Sequence, residues 1–179
     1  MPSRHFTLSV LAAALTWAGC AAEPSPAAVQ PLPDVATSCA DHAACAANQV
    51  CTQKACKPVF PGTYQLTVVK ASLNSFDETG TPWDVDGPPD PFVVVRIGDK
   101  PACQTAVRAN VDVATWDKPC AVALTAADNL TFEVRDDDAG KIQAVSQKTL
   151  PSEDLVAILR GGEGLWQDTF VKLEFTLTP

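Results

Sequence analysis

From Gly62 to Pro179 apolar and polar side chains alternate with a period of two. Leu130, Phe132 and Val134 alternate with Thr131, Glu133 and Arg135, and Val171, Leu173, Phe175 and Leu177 alternate with Lys172, Glu174 and Thr176. Successive side chains of a strand point to opposite faces, so this spacing predicts half-buried strands of an antiparallel sheet. Tyr64 to Val69, Phe92 to Ile97 and Ala121 to Leu124 are expected to be further strands, separated by turn-rich stretches such as Thr79 to Asp90. Only Ser152 to Leu159 has a helical pattern, with Ser152 placed as N-cap and Glu153 and Asp154 in the first turn, where the helix dipole favours acids. A run of 118 residues built this way predicts an all-β fold, one antiparallel β-sandwich.

Ahead of residue 62 the pattern changes three times. Residues 1–19 carry Arg4 and His5, then an apolar run from Phe6 to Trp17, too short to span a bilayer and built like an export signal. Ala18-Gly19-Cys20 resembles the bacterial lipoprotein cleavage box, with Trp17 where that box usually has Leu. The resemblance implies that Cys20 becomes a lipid-modified N-terminus. Ala21 in place of a retaining Asp then places the protein at the outer membrane or cell surface of a Gram-negative bacterium. Residues 20–38 are rich in Pro and Ala and are expected to be the lipid-anchored tether. Residues 39–59 are cysteine-rich, with Cys39, Cys45, Cys51 and Cys56 spaced C-x5-C-x5-C-x4-C. These spacings do not match the C-x2-4-C pairs of zinc sites, and export favours disulfides, so two cross-links of open connectivity are expected. The segment resembles small cysteine-rich knots near the N-termini of secreted bacterial proteins, the matching residues being Asn48 to Cys51.

Composition sharpens this picture in two places. The chain has 7 cysteines, and with one assigned to lipid the odd count resolves into three pairs, Cys103 being left for Cys120. Lys and Arg total 13 against 21 Asp and Glu; removal of residues 1–19 takes Arg4 and no acid, leaving 12 basic residues and a charge of −9. Nucleic acid is excluded as a partner because the cations that neutralise phosphate are missing. The one histidine left after processing, His42, lies in the cysteine-rich segment, so the sandwich has no histidine base for a serine or cysteine nucleophile. No enzyme activity is expected.

The acids are not spread evenly. Asp84, Asp86 and Asp90 lie in TPWDVDGPPDPFVVV, and Asp136, Asp137 and Asp138 end the strand FEVRDDD. Like charges that converge raise one another's pKa and oppose folding, so convergence of these loops signals a cation. Ca²⁺, which takes six to eight oxygen ligands in loose geometry, suits them, although no EF-hand spacing is present.

Gly62 to Pro179 is similar to a C2 domain, an eight-stranded antiparallel sandwich that binds Ca²⁺ between loops at one end. The matching residues are the strand YQLTVVKASL, Asp84 followed by Asp90 in D-P-F-V-V-V, TWDKPC with Trp116 and Asp117, and LTFEVRDDD. The resemblance implies metal ligands at Asp84, Asp90, Asp136 and Asp138, with the carbonyls of Val85 and Asp137 as further donors and Asp77 or Asp86 as substitutes. The family usually carries another Asp about six residues past Asp138, where this chain has Ala144, Val145 and Ser146. One Ca²⁺ held in about the 10⁻⁴ to 10⁻³ M range is therefore expected. The resemblance further implies engagement of phospholipid or a protein partner, with Trp83 and Val85 as an apolar membrane tip. The alternative is a structural or adhesion surface lipoprotein in which Ca²⁺ only rigidifies the loops.

Overall fold

The computed structural model describes residues 38–84, 87–138 and 141–179. The expected signal peptide, Cys20 and nearly all of the tether, as well as Val85 and Asp86, lie outside the described residues. A short 3-10 turn, His42–Ala44, precedes a hairpin of β1 (Gln49–Thr52) and β2 (Ala55–Pro58). The sandwich follows as β3 (Gly62–Leu73), β4 (Pro91–Ile97), β5 (Lys100–Gln104), β6 (Val113–Thr115), β7 (Cys120–Leu124), β8 (Leu130–Asp138), β9 (Lys141–Leu150), α1 (Ser152–Gly161), β10 (Glu163–Gln167) and β11 (Val171–Thr178).

One sheet has the order β10-β11-β3-β6, with β7 also paired to β3; the other has the order β5-β4-β8-β9. β7 pairs with the first half of β3 and β6 with its end, so the two act as one interrupted strand and each sheet has four strand positions. Every pairing is antiparallel, as the period-two pattern requires. Between the sheets lie Leu66, Val93, Leu124, Leu130, Leu173 and Leu177, with Phe132 against Phe175 at a centroid distance of 4.4 Å. β4 departs from alternation: Phe92 to Val95 are all buried, consistent with its central place and its unbroken apolar run. Cys103 in β5 and Cys120 in β7 are joined, so this disulfide links the two sheets at one edge.

The helix begins one residue earlier than its sequence suggests. Pro151, with φ −70 and ψ 166, occupies the N-cap without a side-chain cap bond, and Ser152 is the first helical residue. No side chain caps the first turn; the Pro151 carbonyl accepts the N–H groups of Asp154 (3.1 Å) and Leu155 (3.2 Å). Leu155 and Leu159 face the core, and Gly162 closes the helix in the left-handed conformation at φ 81.

The four N-terminal cysteines pair as Cys39–Cys51 and Cys45–Cys56, so both bridges tie the 3-10 region to the hairpin. A segment this small cannot build its own core, and it uses that of the sandwich: Val50 and Val59 are 2% and 1% exposed within the same apolar cluster. Arg160 of α1 adds a polar clamp, donating from Nη1 to the carbonyls of Ala46 (2.7 Å) and Gln49 (2.8 Å) and from Nη2 to that of His42 (2.7 Å). His42 in turn accepts the Cys51 N–H at Nδ1, 2.8 Å away. We expect Arg160→Met to keep the apolar stem but lose about 1.5–3 kcal/mol of stability, because three carbonyls lose a charged donor. Faster cleavage within residues 38–59 in limited proteolysis, with the sandwich intact, is the result that checks it.

Candidate metal centre at the acidic end

β3 ends at Leu73, β8 ends at Asp138 and β4 begins at Pro91, so the loops that carry the aspartates meet at one end of the sandwich. The hairpin β1-β2 and α1 lie at the other end, where β3 begins and β9 finishes. Carboxylate oxygens of Asp84, Asp136 and Asp138 fall within 4.8 Å of one another. Asp136 and Asp138 face the same side because they are two apart in a strand. Asp84 reaches them from the described part of the loop after β3, residues 74–84.

Asp136 is the unusual member. It is 0% exposed; its Oδ1 accepts the Asp90 N–H at 2.5 Å, while Oδ2, fully buried, has no hydrogen-bond partner. A buried carboxylate oxygen without a partner costs free energy, and a directly bound cation removes that cost. Burial above all holds the Asp136 pKa above the ordinary carboxylate value, with the charges of Asp138 and Asp90 adding to it. Asp84 is raised to about 7, first by its hydrogen bond with Asp138, then by burial and by the charges of Asp136, Asp138 and Asp90. Asp138 is lowered, through that same hydrogen bond and a second from Gln143. The two directions describe one proton shared by the Asp84–Asp138 pair near neutral pH.

Asp90 stands beside this trio rather than in it. Its Oδ1 accepts the Asn110 N–H at 2.6 Å, and Asn110 sits at φ 54 in the loop after β5. That loop is braced by Val111 N–H on the Pro89 carbonyl and by Trp116, whose Nε1 donates to the Ala106 carbonyl at 2.7 Å. Asp77 is not at the site: its Oδ1 accepts Thr79 N–H, Thr79 Oγ1 and Thr81 N–H, closing its own turn, and these bonds hold its pKa down. Asp137 lies opposite Ile142 in the β8-β9 ladder, and its N–H donates to the Asp90 carbonyl at 3.3 Å.

Trp83 folds back onto the loop, with Nε1 donating to the Asn74 carbonyl at 2.7 Å and its ring edge-on to Phe170 at 6.4 Å. The resemblance placed it as a tip; in the structure it is half-buried and makes these contacts within the loop. Among the described residues, the apolar side chains exposed at this end include Phe76 and Ile142, at 48% and 54%. Neither stood out in sequence, because Phe76 is a lone apolar residue in a polar loop and the strand that carries Ile142 is not among those expected from the alternation. Gln143 was also missed. It lies opposite Asp136 in the ladder, and its Nε2 donates to Asp138 Oδ2 and reaches the Trp83 carbonyl at 3.5 Å.

A two-sheet antiparallel sandwich with convergent strand-end carboxylates defines the class. The C2 domain family model matches residues 62–168, and the chain belongs to that family. Among solved structures, the first of the C2 domains of plant Extended Synaptotagmin 1 is similar at TM-score 0.52 and 19% identity, over 66% of this chain and 93% of that one. The paired C2 domains of Extended-Synaptotagmin 2 are similar at TM-score 0.50 and 19% identity, over 68% of this chain and 42% of that longer one. A calcium-bound structure of the same two domains gives TM-score 0.50 and 19% identity, over 68% and 46%. At this identity the likeness shows the fold alone. No curated protein matches the chain significantly.

Proposed function

We propose that the acidic end binds Ca²⁺ and that the bound ion links it to anionic phospholipid, in an exported, non-enzymatic protein attached to the membrane through a lipid on Cys20. The observation that carries the metal site is Asp136: a fully buried carboxylate with one orphaned oxygen, beside Asp84 and Asp138, is a donor set that suits a hard cation. Asp84, Asp136 and Asp138 would hold the ion, and Asp90 would orient Asp136 through its N–H.

Membership of the C2 family supports the lipid half of this reading. A chain of charge −8 is repelled by anionic lipid until a cation neutralises the carboxylates and coordinates phosphate. Phe76 and Ile142 supply apolar surface at that end for a headgroup layer, in addition to the expected tip residues Trp83 and Val85.

Co-sedimentation with vesicles of anionic phospholipid, with and without Ca²⁺, tests the reading. Partition that requires Ca²⁺ and is reversed by chelator is expected. Ca²⁺ binding by calorimetry without partition would replace it with the alternative, in which the ion only braces the loops of a structural or adhesion protein. Mass analysis of the mature N-terminal peptide checks the lipid on Cys20: an unmodified N-terminus rejects that attachment.

A further inference from the structure

We infer that Gln143 is a metal ligand of the acidic site, contributing its side-chain oxygen where the sequence has no further acid; the inference rests on the acidic end being a cation site. Three features of the fold lead to it.

The β8-β9 register puts Gln143 directly opposite Asp136, and opposed residues of an antiparallel pair share a face of the sheet. Its side chain therefore enters the space between Asp136, Asp138 and the loop from β3 to β4. This placement depends on a bulge: the register shifts between Val134 and Arg135, so Val134 opposes Ser146 while Arg135 opposes Ala144, skipping Val145. With the bulge, the amide faces the carboxylates and Ala144 does not.

The contacts of the amide are those of a cation. Nε2 reaches Asp138 Oδ2 and the carbonyl of Trp83 at 3.5 Å, both of them oxygens that can ligate a metal. An amide group turned by half a rotation about its terminal bond exchanges nitrogen for oxygen at nearly the same place. It then offers Oε1 to an ion bound by Asp138, and the Trp83 carbonyl, released from the N–H, becomes available to the same ion.

The third feature is charge. Asp84, Asp136 and Asp138 already bring three carboxylates together, with Asp90 next to them. A fourth acid would add repulsion, whereas an amide and a carbonyl add oxygens without charge. Ca²⁺ asks for six to eight oxygens, and neutral donors raise the count toward that number.

Terbium or europium ions used as Ca²⁺ substitutes give the decisive readout, because luminescence decay in H₂O and D₂O counts the waters left on the bound ion. In the full mature chain, Gln143→Leu is expected to raise that count by one and to weaken Ca²⁺ binding in calorimetry by about 10- to 100-fold. Gln143→Glu, which keeps an oxygen in place, is expected to return the count to the wild-type value. If Gln143→Leu leaves the count unchanged, the inference is overturned whatever happens to affinity, and Gln143 is a positioning residue for Asp138. If the wild-type chain binds neither lanthanide nor Ca²⁺, the cation site falls with it. Unchanged thermal unfolding of both variants in chelator shows that the comparison is between folded proteins.

Discussion

Asp136→Asn is expected to abolish Ca²⁺ binding while making the metal-free protein more stable, by about 1–3 kcal/mol. The two effects have one cause. Asp136 Oδ1 accepts the Asp90 N–H, and an asparagine oxygen can keep that bond. Oδ2 has no hydrogen-bond partner, and replacing it with an NH₂ group removes a buried charge together with its repulsion from Asp138 and Asp90. The same change deletes the anionic oxygen that the ion needs. Chemical denaturation in chelator and in millimolar Ca²⁺ reads both halves. Wild type is expected to gain stability with Ca²⁺, since the ion binds only the folded state, and the variant is expected to gain none. A variant that is destabilised in chelator, or that retains the Ca²⁺ response, contradicts the assignment.

Calcium affinity is expected to fall about tenfold for each pH unit below about 7, because the ion displaces the proton that the Asp84–Asp138 pair shares. The sign for stability is opposite to that of an ordinary ion-paired carboxylate. Asp84 is held near 7 in the fold against an ordinary value of 3.8, so between those limits the folded chain carries one more proton than the unfolded chain. Stability of the metal-free protein therefore declines as pH rises from about 4 to about 7, and levels off above. Calcium reverses the trend at neutral pH by supplying the positive charge that the proton supplied. Calorimetry in buffers of different ionisation enthalpy measures the proton released on binding near pH 6.5; a release of zero there would remove the shared proton. For the proposed Ca²⁺ site, the expected consequence is tighter binding at neutral pH than after mild acidification.

Both outcomes depend on a site that was only half legible beforehand. Asp84, Asp136 and Asp138 were readable because loop acids at strand ends have few reasons to cluster other than a cation, and the C2 resemblance ordered them. Asp90 was readable as an acid but not in its role, since its bond to Asn110 depends on a left-handed turn some twenty residues away in sequence. Asp77 was readable only as a substitute ligand, and in the structure its Oδ1 is taken up by Thr79 and Thr81 of its own turn. Gln143 could not have been picked out, because one bulge decides whether position 143 or a neighbour faces Asp136. Trp83, expected at the tip, packs back on its loop, while Phe76 is half-exposed. The larger ring has a carbonyl and an aromatic edge to pack on, and the smaller ring is left in solvent.

Alternation of apolar and polar residues determined by itself that the chain forms an antiparallel sandwich, because a period of two leaves a strand only one way to bury its apolar face. Cysteine number and spacing determined that bridges would hold the N-terminal segment, and the choice of Cys39–Cys51 with Cys45–Cys56 came only with the fold. That this segment shares one core with the sandwich, through Val50, Val59 and the Arg160 clamp, was likewise a tertiary result. The division has a physical basis. Periodicity and composition are local properties that constrain which face of an element is buried, whereas register, bulges and loop closure depend on contacts between residues far apart in the chain. The acidic end lies on that boundary: its charge is written in the sequence, and the buried, half-satisfied carboxylate that makes it a site exists only once β4, β8 and β9 are paired.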